Sequence, residues 1–361
     1  MERDLSLHEF VPRPMLTVPE TPVERPRFPV VDAHNHLGQL LPGAPFAGEW
    51  PNRPVAELVA ELDCAGVRVV VDLDGGFGER LRREIARYRE PYPDRFVVFA
   101  GIDYDAFGRE RDIGGYLARQ LRDSVAAGAQ GLKVWKLLGL HLRDESGRRF
   151  AVNDPRLDEL WATAGELKLP VLIHVADPVA FFQPLDRFNE RWEELHAHPD
   201  WHFYGGDFPS FEALMEQFAD LLTRHRATTF IGAHVGCYAE NLGWVGRMLE
   251  VCPNFYVDIG ARLAELGRQP YTARDFFLRY ADRILFGTDA PPNREVYRLH
   301  YRFLETRDEY FNYGLSEPPR QGRWRIYGLY LPDEVLQQVY YQNAARVLGL
   351  PPLDASNAFS A

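Results

Sequence analysis

Asp32-Ala-His34-Asn-His36 sets two imidazoles two residues apart near the start of the chain. In an extended strand, side chains at i and i+2 point the same way, so both rings can reach one metal ion. Taken alone, such a pair is weak evidence. Three further residues of the same chemistry follow: His174 after Val171-Leu-Ile, His234 after Phe230-Ile-Gly-Ala, and Asp289 after Ile284-Leu-Phe-Gly-Thr. Each closes a short apolar run, and unrelated core histidines would not fall so selectively. Imidazole nitrogen and carboxylate oxygen are donors that zinc takes. His34, His36, His174, His234 and Asp289 together therefore point to a divalent-metal centre, with Zn²⁺ preferred.

Two of the chain's three lysines lie in one stretch, Gly131-Leu-Lys133-Val-Trp-Lys136. By alternation Leu132 and Val134 face outward and Lys133 inward, with Lys136 at or just past the strand's end. A lysine here can be carbamylated and bridge two metals, stay an ammonium that holds a substrate carboxylate, or form an ordinary ion pair. Arg262, after Val257-Asp-Ile-Gly-Ala, is placed to bind an anion or to make a supporting salt bridge. His8, His196, His198, His202, His225 and His300 are read as surface or packing residues. His141 is a weak pocket candidate, and Cys237 a small residue of the pocket wall.

The elements that must position these residues alternate along the chain. Strands are expected at 28–36, 67–73, 96–102, 131–136, 170–175, 228–234, 255–259 and 283–289. Helices are expected at 54–65, 79–89, 112–127, 154–167, 210–225, 238–251, 272–281 and 332–348. Short apolar strands alternating with amphipathic helices make a parallel sheet, and eight such units make a closed α/β (β/α)₈ TIM barrel. All five metal-site candidates then fall at strand C-terminal ends, where barrel enzymes keep their active sites. Two insertions, about 176–209 and 290–331, would sit on that catalytic face. Their aromatic residues, Phe181, Phe182, Trp192, Trp201, Phe203 and Tyr204 in the first and Tyr297, Tyr301, Phe303, Tyr310, Phe311, Tyr313 and Trp324 in the second, suit lids, and equally surface decoration or a subunit interface. Residues 1–27 carry Pro12, Pro14, Pro19, Pro22 and Pro26 and read as an extended arm. It would pack on the barrel or on a second copy in a homo-oligomer. The barrel is expected over 28–350 and a tail over 351–361.

Composition limits the partners. The 361 residues suffice for one barrel, which needs roughly 250. A net charge of −11 argues against nucleic acid and anionic membrane as partners, yet permits an anionic small-molecule substrate in a locally positive pocket. Cys64, Cys237 and Cys252 form no CxxC pair, and neither a signal-peptide pattern nor a long apolar run is visible. A cytoplasmic setting is therefore expected.

As a set, Val31-Asp-Ala-His-Asn-His36, Pro170-Val-Leu-Ile-His174, Phe230-Ile-Gly-Ala-His234, Leu285-Phe-Gly-Thr-Asp289 and Asn343-Ala-Ala-Arg-Val-Leu-Gly-Leu350 resemble the amidohydrolase superfamily, most closely its amidohydrolase-2 branch. The resemblance covers roughly residues 28 to 350. It implies a distorted barrel holding zinc or sometimes manganese. His34, His36, His174 and Asp289 match the metal ligands of mononuclear members. His234 matches the histidine that polarises the substrate or orients water, and Asp289 the general base. The branch contains both hydrolases and non-oxidative decarboxylases. The hydrolytic expectation is a lactone, amide or cyclic imide attacked by a metal-activated water. The alternative is loss of CO₂ from an aromatic or enol carboxylic acid. In either case Lys133, Lys136 and Arg262 are the substrate-binding candidates. A barrel that only binds a ligand would need an incomplete metal set.

Overall fold

The computed structural model describes residues 4–7, 9–37 and 49–352. Eight strands form one sheet in sequence order: β1 (Val30–Asn35), β2 (Val67–Asp72), β3 (Phe96–Ala100), β4 (Gly131–Val134), β5 (Val171–Ile173), β6 (Phe230–Gly232), β7 (Phe255–Asp258) and β8 (Ile284–Leu285). Neighbouring strands pair in parallel throughout. Backbone hydrogen bonds also cross from the last strand to the first: Ala33 donates to the Phe286 carbonyl at 2.9 Å and Asp289 to the His34 carbonyl at 2.7 Å. These close the sheet into a (β/α)₈ TIM barrel.

The strand residues are nearly all buried and most of them are Val, Ile, Leu or Phe, as expected when both faces are covered. Val31, Val69, Val97, Leu172, Ile231 and Leu285 form the barrel interior. Val70, Phe96, Leu132, Val171, Phe230 and Val257 pack outward against the helices. Helix starts are capped by side chains: Asp112 accepts from Gly115, Ser210 from Ala213 and Asn241 from Trp244. Among the described residues no helix is long and apolar enough to cross a membrane.

Two features differ from the sequence expectation. The stretch 290–331 is not simply a lid. It opens with the helix Arg294–Glu305, capped by Asn293, whose buried face carries Tyr297, His300, Tyr301 and Leu304. That spacing is helical. Tyr297, Tyr301 and Phe303 are therefore core residues, and Tyr301 bonds the Ala65 carbonyl at the end of helix Val55–Ala65. The helical segment 333–348, which the alternation counts simply as the helix of the eighth unit, also seals the barrel floor. Tyr341, Ala344 and Ala345 join the interior cluster, and Asn343 donates to the Ala281 and Ile284 carbonyls at the start of β8.

The arm has no helix or strand over residues 10–29. It packs on its own barrel through Thr21 to Asp308 and Arg27 to Glu305. His8 and the expected tail beyond residue 352 lie outside the described residues.

Candidate metal centre

At the C-terminal ends of the strands, His34, His36 and His234 are each held through Nδ1 by a carboxylate or carbonyl. His34 Nδ1 lies 2.9 Å from Asp258 Oδ2, and His36 Nδ1 lies 2.7 Å from Asp74 Oδ1. The two Nε2 atoms then face one oxygen, Asp289 Oδ1, at 3.1 and 3.4 Å. His234 Nδ1 donates to the Gly260 carbonyl at 2.8 Å, since a carbonyl can only accept. Its Nε2, left as an acceptor, is 3.8 Å from Asp289 Oδ2. Asp258 ties the ring together, also accepting from the backbone of His234 and Gly260.

The backbone explains why these side chains converge. Asp289 sits at φ 56° and His234 at φ 60°, a left-handed conformation that L-residues rarely adopt. In β6 the interior-facing residues are Ile231 and Ala233. His234 is one step out of phase with them, and the left-handed turn swings it back to the centre. Behind Asp289, the buried Asp32 carboxylate receives the Thr288 backbone and hydroxyl, the Asn35 amide and the Tyr297 hydroxyl. This network fixes the β1–β8 seam that carries His34 and Asp289.

Electrostatics follow from burial and neighbours. Burial would push the Asp289 carboxyl up, but His34 and His36 hold it well below the usual carboxylate range. Burial works against protonation of His36 as well, yet the Asp74 carboxylate carries it up to about 9. Burial, and then the Arg262 charge, push His234 well down, so its ring is neutral.

His34, His36 and Asp289 offer donor atoms that all lie within 4.8 Å of one another, and so do His34, His234 and Asp258. His174 stands outside both groups. Its ring is 4.4 Å from that of His234, but its Nε2 is turned toward Asp177 Oδ1 at 3.4 Å. The donors suit a divalent metal. Nδ1 of His34 and of His36 is engaged by a carboxylate, which frees and orients Nε2, the usual outer-shell arrangement of a metal-bound histidine. The Nε2 atoms of His36 and His174 are buried without any hydrogen-bond partner.

The three cations expected at the pocket divide. Lys136 forms an ion pair with Asp177, so the ion-pair reading describes it. Lys133 points inward and is fully buried, its Nζ 4.6 Å over the Trp135 ring, which in turn lies 5.0 Å from His36. Arg262 is buried, and among the described residues its guanidinium hydrogen-bonds only to the neighbouring Ala261 carbonyl, at 2.8 Å. Asp74, Asp177, Asp258, Asp32 and Trp135 were not singled out from sequence. Their one signal is position, since each lies in or just after a strand, where turn-forming aspartates also occur.

Residues 31–350 match the family model described as amidohydrolase, in its amidohydrolase-2 form. A search of curated proteins finds no significant match. Solved structures with the same fold include a 2,6-dihydroxybenzoate decarboxylase complexed with 2,6-dihydroxybenzoate: 17% identity, 90% of this chain and 100% of that one, TM-score 0.56. A dihydroxybenzoic acid decarboxylase from Polaromonas sp. JS666, solved with manganese and 2-nitroresorcinol, shares 16% identity over 90% of this chain and 97% of that one, TM-score 0.57. A 5-carboxyvanillate decarboxylase from Sphingomonas paucimobilis shares 13% identity over 90% and 100%, TM-score 0.51. At these identities the likeness speaks for the fold alone. The family match spans most of the chain, and with the barrel it shows that this chain belongs to the amidohydrolase-2 family of metal-dependent enzymes.

Proposed function

We propose that the chain is a metal-dependent hydrolase that opens a lactone, amide or cyclic imide in a small molecule. The observation that carries this reading is the placement of Asp289. Its carboxylate faces three imidazoles, and its side chain is 24% exposed while those of His34, His36 and His234 are at most 8% exposed. It is the acid–base group of the cluster that an incoming water or substrate can reach.

His34, His36 and Asp289, with His174 beside His234, would hold Zn²⁺ or Mn²⁺. Such an ion supplies a Lewis acid for the scissile carbonyl and lowers the pKa of water toward about 7. Asp289 takes the proton of the attacking water and passes it to the leaving group. His234, an acceptor at Nε2, orients that water through a hydrogen bond. Of the two roles the family offers, polarising the substrate would need a donor at this atom, and the Gly260 contact supports the other. Asp74 and Asp258 keep His36 and His34 aimed.

Decarboxylation is the second reading. It is favoured by the buried cations Lys133 and Arg262, which would suit a carboxylic acid, and by the decarboxylases named among similar folds. The experiment is to present the metal-loaded protein with lactones, amides, cyclic imides and hydroxybenzoate-type acids, following ring opening, proton release and CO₂. Metal-dependent ring opening is expected. CO₂ release from an aromatic acid, with every lactone, amide and imide inert, would overturn hydrolysis in favour of the second reading.

A further inference from the structure

A cation taken out of water is costly unless a carboxylate accompanies it. Four lysine or arginine residues are buried among the described residues: Arg95, Lys133, Arg191 and Arg262. Two follow the rule. Arg95 meets Asp63 at 2.7 Å, and Arg191 meets Glu194 at 2.8 Å and also Glu265. Lys133 and Arg262 do not. Lys133 Nζ is sealed from solvent with no hydrogen-bond partner, and neither residue has a carboxylate oxygen within 4.0 Å. The two exceptions are the two at the metal centre.

They stand on different walls of the mouth. Lys133 is on β4, and Arg262 follows the end of β7. β5 and β6 lie between them in the strand order, followed by His174 and His234 respectively. A molecule lying over His174 and His234 would have a cation at either end. Burial draws the Lys133 ammonium down to about 8, which still leaves it mostly charged at neutral pH. A ligand with one acid group would pair one cation and leave the other buried alone. A ligand with two would complete both pairs through charge-assisted hydrogen bonds.

Resting on the reading of this mouth as a substrate pocket, we propose that the substrate is a small dianion. One acid group is bound by Lys133 and the other by Arg262, so the pocket selects dicarboxylates over the matching monocarboxylates. The chain's overall charge of −11 does not oppose this, because the selectivity comes from short-range pairing in a locally cationic mouth.

The test is calorimetric titration of the metal-loaded protein with two matched sets that need no turnover: benzene-1,3- and 1,4-dicarboxylate against benzoate, and glutarate and adipate against butyrate. At least one dicarboxylate should bind roughly 10–100-fold tighter than its monoacid, the worth of one charge-assisted pair. Lys133→Met and Arg262→Met, checked for fold by circular dichroism and for metal content, should each abolish that preference, lowering the affinity of the dicarboxylate by the same roughly 10–100-fold. Should either variant fail to fold, the wild-type affinity ratio still decides. Equal affinities for mono- and dicarboxylates overturn the proposal. So does uptake of a second metal equivalent that depends on bicarbonate, since Lys133 would then be an anionic carbamate. Binding is measured without reaction. Failure here, with a neutral lactone still hydrolysed, would refute the dianion and leave the hydrolytic reading standing. Tight dicarboxylate binding with lactones inert would do the reverse.

Discussion

Buried charge is handled in opposite ways in two parts of this barrel. Within the first insertion, Arg191 is fully buried and balanced within the chain by Glu194 and Glu265. The contacts around it are closed too. Arg268 grips Glu190 at 2.6 and 2.9 Å, and Arg323 grips Glu193 at 2.8 Å with both nitrogens. Arginine–glutamate pairs thus clamp the insertion to helix Leu263–Arg268 and to the end of the second insertion. At the mouth the chain withholds such closure. Lys133 and Arg262 have no carboxylate oxygen within 4.0 Å, the Nε2 atoms of His36 and His174 come no nearer than 3.4 Å to a carboxylate oxygen, and Asp289 is left partly exposed. The contrast separates charge that builds the frame, which is neutralised internally, from charge that awaits a ligand.

The largest expected effect is at the open end of this contrast. Asp289→Asn, a residue that tolerates the left-handed backbone found there, should cut turnover of the best substrate by roughly 10²–10⁴-fold. The thermal midpoint should hardly move. Near-normal turnover in this variant would remove Asp289 as the base. At the closed end, Arg191→Met leaves Glu265 buried without its partner and should destabilise the protein by about 3–5 kcal/mol. That is read as a lower urea midpoint, with kcat/KM of the folded protein largely retained. An unchanged midpoint would mean that the pair does not clamp the insertion.

Lys133→Met should behave in the opposite sense to Arg191→Met, because it removes a cation that has no partner. The folded-state pKa of Lys133 is drawn by burial to about 8, from 10.5 in the unfolded chain. The cost of burying the ammonium is full below about pH 8 and disappears above about pH 10.5, once the unfolded chain also loses the proton. In chelator-treated protein the wild type should therefore gain on the variant by up to about 3 kcal/mol as pH rises across that window. A gap that stays constant with pH would show that Lys133 is not desolvated. The smallest effect belongs to the partly exposed pair Arg323–Glu193. Arg323→Ala should change the unfolding free energy by no more than about 1 kcal/mol.

The centre was legible in sequence because barrel topology gathers strand ends. In β5, Leu172 and His174 share a phase, Leu172 packs in the interior, and alternation alone placed the histidine at the mouth. His234 could be named for its chemistry but not for its pose, since its phase is wrong and a left-handed turn corrects it. Asp74 and Asp258, which aim His36 and His34, were in view but unreadable, because a lone aspartate after a strand looks the same whether it caps a turn or orients a ligand. The helix Arg294–Glu305 was missed for another reason. Aromatic content alone reads Tyr297, Tyr301 and Phe303 as lid residues, although the spacing of Tyr297, Tyr301 and Leu304 has the helical period.

The central claim is that the strand-end histidines and Asp289 hold one divalent metal. Its most direct test is elemental analysis of the purified protein, with His34→Ala and His36→Ala prepared in parallel and checked for fold by circular dichroism. About one zinc or manganese per chain, lost in both folded variants, is the predicted result. Protein that carries no transition metal and takes up neither ion on incubation, or variants that keep their full metal content, would contradict it.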